Sequence, residues 1–496
     1  MSQILESVYA VVWGVPALVM ILGVGLYLSL RTGFAQLRLF PRAFRDFCKR
    51  LRPGSACETG GVSSFQALCT ALAATVGTGN LAGVAGALTI GGPGAIFWMW
   101  ICGLLGMITK LAEAALSVRY RIRSGSEYVG GPMYIISGGM SKRFRWLAGT
   151  YSFFGVVAAF GVGNATQISA VVSGFNSCLS FFGGTPGAGK NMALGLALAA
   201  VVLVLLWGGA KRVGAASERL VPFAAVCYLL LGCVVLVLCR DAIPEAFAAI
   251  FQGAFSPRAA TGGMIGSMLT TLRVGVSRGV FTNEAGMGTA GIAHAGAAVR
   301  HPVEQGLMGI MEVFLDTIVI CTMTALVILC SGIPVPYGMD AGVELTIAGF
   351  SAVVGDWVRV MITLSLCLFA FATVLGWGLY GARCAQYLFG KTTWRAFALV
   401  QTVTVVVGAT LQAETIWLFA EIINGLMSIP NLIALAVLCP ELCRLIIDFQ
   451  RNPGRKAGGG TLCKYPSTQT AVSRPPCESS ILTQWRQRSR ERKYTT

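Results

Sequence analysis

Residues 74–86 read Ala-Thr-Val-Gly-Thr-Gly-Asn-Leu-Ala-Gly-Val-Ala-Gly, in the middle of an apolar run that extends from about 64 to 90. Within it, Gly77, Thr78, Gly79 and Asn80 put two glycines, a hydroxyl and an amide into four consecutive positions. The run is long enough to cross a bilayer, which takes about 20 residues, and its centre is poor in helix formers. A membrane helix that unwinds near its middle is expected. Unwound backbone at that depth is tolerated only where it is buried in protein or lines a cavity. One half-helix then offers free N–H groups at a positive dipole end, and the other offers free carbonyl oxygens. Such a break suits a carboxylate together with a small cation. Gly83 and Gly86 fit equally well as residues for close helix packing. A phosphate-binding loop is the competing explanation of a glycine-rich run, but no strand precedes this one and no Gly-Lys-Ser/Thr follows it.

The remainder of the chain is of the same kind. Of its 496 residues, 55% are hydrophobic and only 12% charged, with a mean hydropathy of +0.70. A soluble domain carries about 25% charged residues, so several soluble domains are excluded and one polytopic membrane domain is expected over residues 1–445. Cutting the apolar runs at their charges gives eleven spans, at about 8–30, 64–90, 94–118, 148–182, 190–208, 219–239, 244–277, 303–331, 353–388, 394–411 and 415–440. Lys and Arg then alternate: 33 of the 38 basic residues fall in the odd-numbered loops and the C-terminal tail. By the positive-inside rule the N-terminus is outside and the C-terminus cytoplasmic, as expected for a protein of the cell (inner) membrane. The net charge of +17 is thereby explained by membrane topology and not by a nucleic-acid groove. Residues 446–496 are polar and basic without apolar periodicity, and read as a disordered cytoplasmic tail. The 16 cysteines are scattered without paired C-x-x-C spacing and read as thiols in an apolar core.

Spans two to six (about 64–240) and seven to eleven (about 244–440) form two groups of five, and an odd number of crossings makes the second run in the opposite sense. Each group opens with a glycine-interrupted span: Gly77 and Gly79 in the first, Gly262, Gly263 and Gly266 in the second. Such a pairing points to the binding site of an inverted-repeat transporter. Few polar side chains lie within the spans. Gln167 follows Gly161-Val162-Gly163-Asn164, and Thr373 and Trp377 share a helix face four residues apart. A charge inside a span costs at least about 2.5 kcal/mol, so each needs a partner or a function. Lys110 and Glu113, three apart, are placed to pair along one helix face; Glu312 and Asp316, four apart, either line a polar face of the eighth span or meet basic residues elsewhere, and Glu421 stands alone, with structural pairing or a gate favoured over proton relay for all of them. His294 and His301 are assigned to a cytoplasmic loop. Two histidines without a Cys or carboxylate cluster make no transition-metal site, and no catalytic triad or paired-carboxylate arrangement is found, so an enzyme is not expected.

Five stretches carry a family resemblance: Gly77-Thr78-Gly79-Asn80 with Gly91-Gly92-Pro93-Gly94; Gly130-Gly131-Pro132-Met133-Tyr134; Gly161-Val162-Gly163-Asn164 through Gln167; the long run Arg278-Gly279-Val280-Phe281-Thr282-Asn283-Glu284-Ala285-Gly286-Met287-Gly288; and Ala293-His294-Ala295 with His301-Pro302-Val303. Over about residues 5–445 the chain resembles the alanine or glycine:cation symporters. The resemblance implies a leucine-transporter-like fold with a five-plus-five inverted repeat and discontinuous helices, which imports alanine or glycine with sodium and needs no other cofactor. Carried over by motif, Gly77, Thr78, Gly79, Gln167, Gly263, Met264, Gly266, Thr373 and Trp377 form the substrate site. Ala74, Gly77 and Thr373 bind the cation, and Asn80, Asn164, Asn283, Glu284, Glu312 and Asp316 form a gate or polar network. Met264 stands where family members commonly have Phe. The alternatives are proton coupling through Glu312, Asp316 or Glu421, and a channel or sensor built on the same fold.

Overall fold

The computed structural model describes residue 8 and residues 12–51, 62–125, 127–256, 267–339, 341–410 and 414–451, with the side chains of 414–421 excepted. Helix α1 (Val15–Arg31) ends where Thr32 Oγ1 donates back to Leu28 O at 2.8 Å. The amphipathic α2 (Phe40–Arg50) follows, carrying Arg42, Arg45, Lys49 and Arg50 and burying only Ala43. Helix α3 (Ser64–Thr75) opens with a reciprocal cap, in which Gln66 N donates to Ser63 Oγ and Ser63 N to Gln66 Oε1. It stops at Val76, whose backbone is extended. The chain re-enters helix through a π turn at Gly79–Gly83 and continues as α4 (Val84–Gly91), the two halves bent by 55°. The break expected at residues 77–80 is present.

Helix α5 (Gly94–Arg119) leads to a two-stranded hairpin, β1 (Ile122–Ser124) and β2 (Glu127–Val129), and to α6 (Pro132–Gly139). Helices α7 (Arg145–Phe160) and α8 (Thr166–Phe181) are joined by a second π turn, Gly161–Ala165. Next come α9 (Ala188–Trp207), α10 (Gly209–Leu238), α11 (Ile243–Phe255), α12 (Met268–Asn283) and the short α13 (Thr289–Ala295). Helix α14 (Pro302–Val313) passes through a third π segment, Phe314–Cys321, into α15 (Thr322–Cys330). The chain closes with α16 (Val343–Val354), α17 (Val358–Phe389), α18 (Thr393–Gly408), α19 (Glu414–Val437) and α20 (Cys439–Arg451). Among the described residues six helical stretches are long and apolar enough to cross a membrane, or eight when two bent pairs each count as one span.

Three details differ from the sequence expectation. Helix α10 begins at Gly209, not near 219, because Lys211 and Arg212 at its end remain in helical backbone where the ammonium and guanidinium groups reach water. The segment between 331 and 353, read as a loop, contains α16. It is too short for a span, but it is held against the first break by Thr346 Oγ1, which donates to Leu81 O at 3.1 Å. The seventh expected span, 244–277, contains two helices, α11 and α12, and Gly262, Gly263, Met264 and Gly266 lie outside the described residues.

Small residues set the spacing at the centre. Helix α5 packs along α12 and α14, and a side chain at Gly306 or Gly309 would place its Cβ about 3 Å from the main-chain oxygen of Leu111 or Lys110. Segments assigned to one side by their basic residues meet on one face. Val62 bridges to Ala297, Arg121 donates to the carbonyls of Ala295 and Ala297, and Arg119 pairs with Glu441 at 3.1 Å.

Candidate substrate and cation site

The break in the first discontinuous helix is pressed against two polar side chains from elsewhere in the chain. A Cβ added to Gly77 would sit 2.9 Å from Thr373 Oγ1 and 3.4 Å from Gln167 Oε1, so only glycine lets the backbone approach them. Gln167 Nε2 donates to Thr78 Oγ1 at 3.3 Å and to Val162 O at 3.3 Å, tying the first π turn to the second. Thr373 Oγ1 lies 2.9 Å from Ala73 O and 3.0 Å from Phe369 O, and Gly376 packs directly on Ala74. Gly77, Thr78, Gln167, Thr373 and the Ala73–Ala74 backbone are therefore one buried cluster, although Thr78, Gln167 and Thr373 come from three regions of the sequence. Gly79 faces Phe281 and Thr282 on α12. Asn80 is taken up by structure: its Oδ1 accepts from Gly77 N at 2.9 Å, and its Nδ2 donates to Asp316 Oδ1 at 2.7 Å.

Trp377 stands one turn beyond Thr373 with 1% of its surface exposed. A Cβ at Gly163 would overlap its Cβ and Cγ, and its Nε1–H donates to Glu284 Oε1 at 3.1 Å. Asn164, in the second π turn three residues before Gln167, donates instead to Gln401 O at 2.8 Å and so fastens that turn to α18. Asn283 Nδ2 donates to Thr317 Oγ1, which in turn donates to Asp316 Oδ2, and Asn283 Oδ1 accepts from Ala285 N.

The intramembrane charges are paired across helices, not along one. Lys110 does not meet Glu113: its Nζ lies 2.8 Å from Glu312 Oε1 on α14, with both side chains essentially unexposed. Glu113 Oε1 accepts from Gly286 N, Gly288 N and Asn431 Nδ2, so backbone amides at the end of the Glu284–Gly288 run hold it instead. His294 is no loop residue either. It is fully buried in α13, where Nδ1 accepts from Gln305 and Nε2–H donates to Glu312 Oε2 at 3.0 Å. The Gln305 orientation is fixed by Ser64, whose Oγ donates to Gln305 Oε1 at 2.6 Å and whose carbonyl accepts from Nε2. Among the described residues, Glu312 is the one of the four buried carboxylates, Glu113, Glu284, Glu312 and Asp316, that contacts an ammonium group. The side chain of Glu421 lies outside the described residues.

A narrow, partly enclosed crevice lies one to two turns from the cluster along α3 and α17. It is lined by Thr70, Glu127, Lys211, Ile292, Leu379 and Arg383 among others. The Arg383 guanidinium bonds Glu127 Oε2 at 2.6 Å and so spans the wall between α17 and β2. No group of three or more His, Cys, Asp or Glu that could hold a metal occurs among the described residues, and the described cysteines form no disulfide with one another.

A family model described as the sodium:alanine symporter family matches residues 1–459. The chain belongs to that family. Its relatives include the sodium/alanine symporter AgcS of Methanococcus maripaludis, 42% identical over 88% of this chain and 94% of that protein. Another is the Bacillus subtilis protein named "Probable sodium/glutamine symporter GlnT", 34% identical over 92% of this chain and 93% of that one. Among solved structures, MhsT in complex with L-phenylalanine superposes with a TM-score of 0.52 at 14% identity, over 78% of this chain and 98% of MhsT, a likeness in fold. As a family member the chain is a multi-pass membrane protein that carries out amino-acid:cation symport, a transporter and not an enzyme.

Motif and spacing led to Gly77, Thr78, Gln167 and Thr373, but not to their partners. Glu284 as the acceptor for Trp377, Asn80 as the link to Asp316, and Gln305 as the support of His294 lie 93, 236 and 11 residues from the groups they hold. The family motifs place Asn80, Glu284 and Asp316 in one polar network, without their pairings; for Gln305 the one sequence signal is that buried polar groups require partners.

Proposed function

We propose that the protein imports small neutral amino acids, alanine and glycine, together with sodium, by alternating access about the break at Gly77. The carrying observation is the convergence of Gly77, Gln167 and Thr373, where backbone, amide and hydroxyl oxygens surround a helix interruption. The substrate carboxylate meets the N–H groups of Thr78 and Gly79 at the start of the second half-helix, where the dipole is positive. Sodium lies with the carbonyls of Ala74 and Gly77 and the Thr373 hydroxyl, an all-oxygen set suited to a hard cation. Placed near the carboxylate, it makes the binding of each favour the other. Gly263, Met264 and Gly266 complete the substrate site from the second interrupted segment. Eleven spans in a five-plus-five inverted repeat, with the N-terminus outside and the C-terminus in the cytoplasm, frame this cycle in the inner membrane. The shared face of the basic loops supports that orientation, and the crevice closed by Glu127 and Arg383 is then the inward route.

The test is uptake of labelled alanine into proteoliposomes with and without an inward sodium gradient. Gradient-dependent accumulation is expected, and equal uptake without sodium contradicts the coupling. A proton-coupled second reading is favoured by one observation: Glu113, Glu284 and Asp316 are buried and are held, in the bonds seen among the described residues, by backbone amides, hydroxyls, side-chain amides and an indole. Uptake in sodium-free medium that follows a pH gradient selects it.

A further inference from the structure

Glu284 sits at the end of α12 with φ +52°, the left-handed region, which costs a bulky residue strain that glycine avoids. It is nevertheless an ionisable residue, buried to 4% exposure. Its two carboxylate oxygens have separate tasks. Oε2 accepts from Thr289 Oγ1 at 2.6 Å, which fixes the carboxylate plane, and Oε1 accepts the indole N–H of Trp377 at 3.1 Å. A buried indole needs one acceptor, which a backbone carbonyl supplies without strain or charge. A strained and ionisable acceptor is an expensive choice for that purpose alone, and such outliers concentrate where geometry serves function.

The other end of the indole is fixed as well. Gly163 leaves no space beside Trp377 Cβ and Cγ, and Tyr380 packs edge-on against the ring with centroids 5.8 Å apart. The second χ angle of tryptophan is intrinsically soft, so the base of the side chain does not by itself determine where the ring edge lies. The tie to Glu284 does. We propose that Glu284 is a positioning residue that locks the Trp377 ring and thereby sets the largest substrate side chain the transporter accepts. The proposal rests on Trp377 walling the substrate pocket. It deepens the assignment of small neutral substrates by naming what enforces smallness in a family whose relatives bear the names of both alanine and glutamine symporters.

The test uses the full chain in proteoliposomes and reads the ratio of kcat/KM for leucine to that for alanine. Trp377→Phe keeps a ring and removes the N–H, Trp377→Ala removes the wall, and Glu284→Gly removes the carboxylate while suiting the left-handed backbone. Glu284→Gln retains an acceptor oxygen. Trp377→Phe and Glu284→Gly are each expected to raise the ratio about tenfold, and the double variant no further, because both cut the same contact. Glu284→Gln is expected to keep most of the native selectivity. If Trp377→Ala raises the ratio but Trp377→Phe does not, the tie does not position the ring and the inference is overturned. Additive effects of Glu284→Gly and Trp377→Phe overturn it too. If Trp377→Ala leaves the ratio unchanged, Trp377 is not the wall and the site assignment itself fails. The Trp377 variants carry the test even where Glu284→Gly yields no folded protein.

Discussion

Replacing Lys110 by Met removes the ammonium group that Glu312 contacts within a buried set of four carboxylates. Nζ lies 2.8 Å from Glu312 Oε1, with the two side chains 0% and 1% exposed. At that distance and an effective dielectric of about 20, the attraction is about 6 kcal/mol. Desolvation of the two ions offsets most of it, so the intact pair contributes little net stability. Removing one partner is different, because Glu312 would keep its desolvation cost with only the neutral donor from His294 Nε2 to relieve it. The expected loss for Lys110→Met is about 3–5 kcal/mol. Lys110→Met with Glu312→Gln removes both charges and leaves an amide oxygen for His294, so it is expected to recover most of that loss. Denaturant unfolding of the purified protein in detergent, run on wild type, both single variants and the double variant, measures the coupling directly. A Lys110→Met protein within about 1 kcal/mol of wild type, or a double variant no more stable than the single, refutes the account of this pair as a buried charge-compensation site.

Three further outcomes are expected. Gln167→Ala should raise KM for alanine about tenfold or more while the protein stays folded, since a hydrogen bond to a charged group contributes about 1.5–3 kcal/mol; an unchanged KM in an uptake assay removes Gln167 from the site. Thr373→Val keeps the shape and deletes the hydroxyl, so the sodium concentration for half-maximal uptake should rise about tenfold, with a normal sodium titration excluding Thr373 as a cation ligand. Gly94→Ala should abolish folded yield in detergent gel filtration, because its Cβ would fall on the Gly253 carbonyl where α5 crosses α11; a native elution profile contradicts that close approach.

Alternating access needs an element with two arrangements, and the three π segments at Gly79–Gly83, Gly161–Ala165 and Phe314–Cys321 all border the candidate site. Such turns often occur at functional positions, since they interrupt the regular ladder and free backbone groups. Here they are cross-braced: Gln167 joins the first two through Thr78, and the Asn80–Asp316 bond joins the first to the third.

The helical membrane-spanning class and the residues that gather at the first helix break were legible in the sequence itself. Lipid imposes long apolar runs and glycine pairs mark the breaks, so the mostly helical, membrane-spanning character of the chain, the break at Gly77 and the meeting of Gly77, Gln167 and Thr373 follow from composition, spacing and motif. Pairing of the buried charges did not follow. Lys110 and Glu113 are close in sequence, yet the energy of a buried charge depends on which atoms lie within about 3 Å, and those are supplied by α14 and by the amides of Gly286 and Gly288. The role of His294 was hidden for the same reason, because a helix of only seven residues leaves almost no periodic signal while tertiary packing buries it completely. Sequence determines which groups must avoid lipid and water; only the packed helices decide which partner each of them finds.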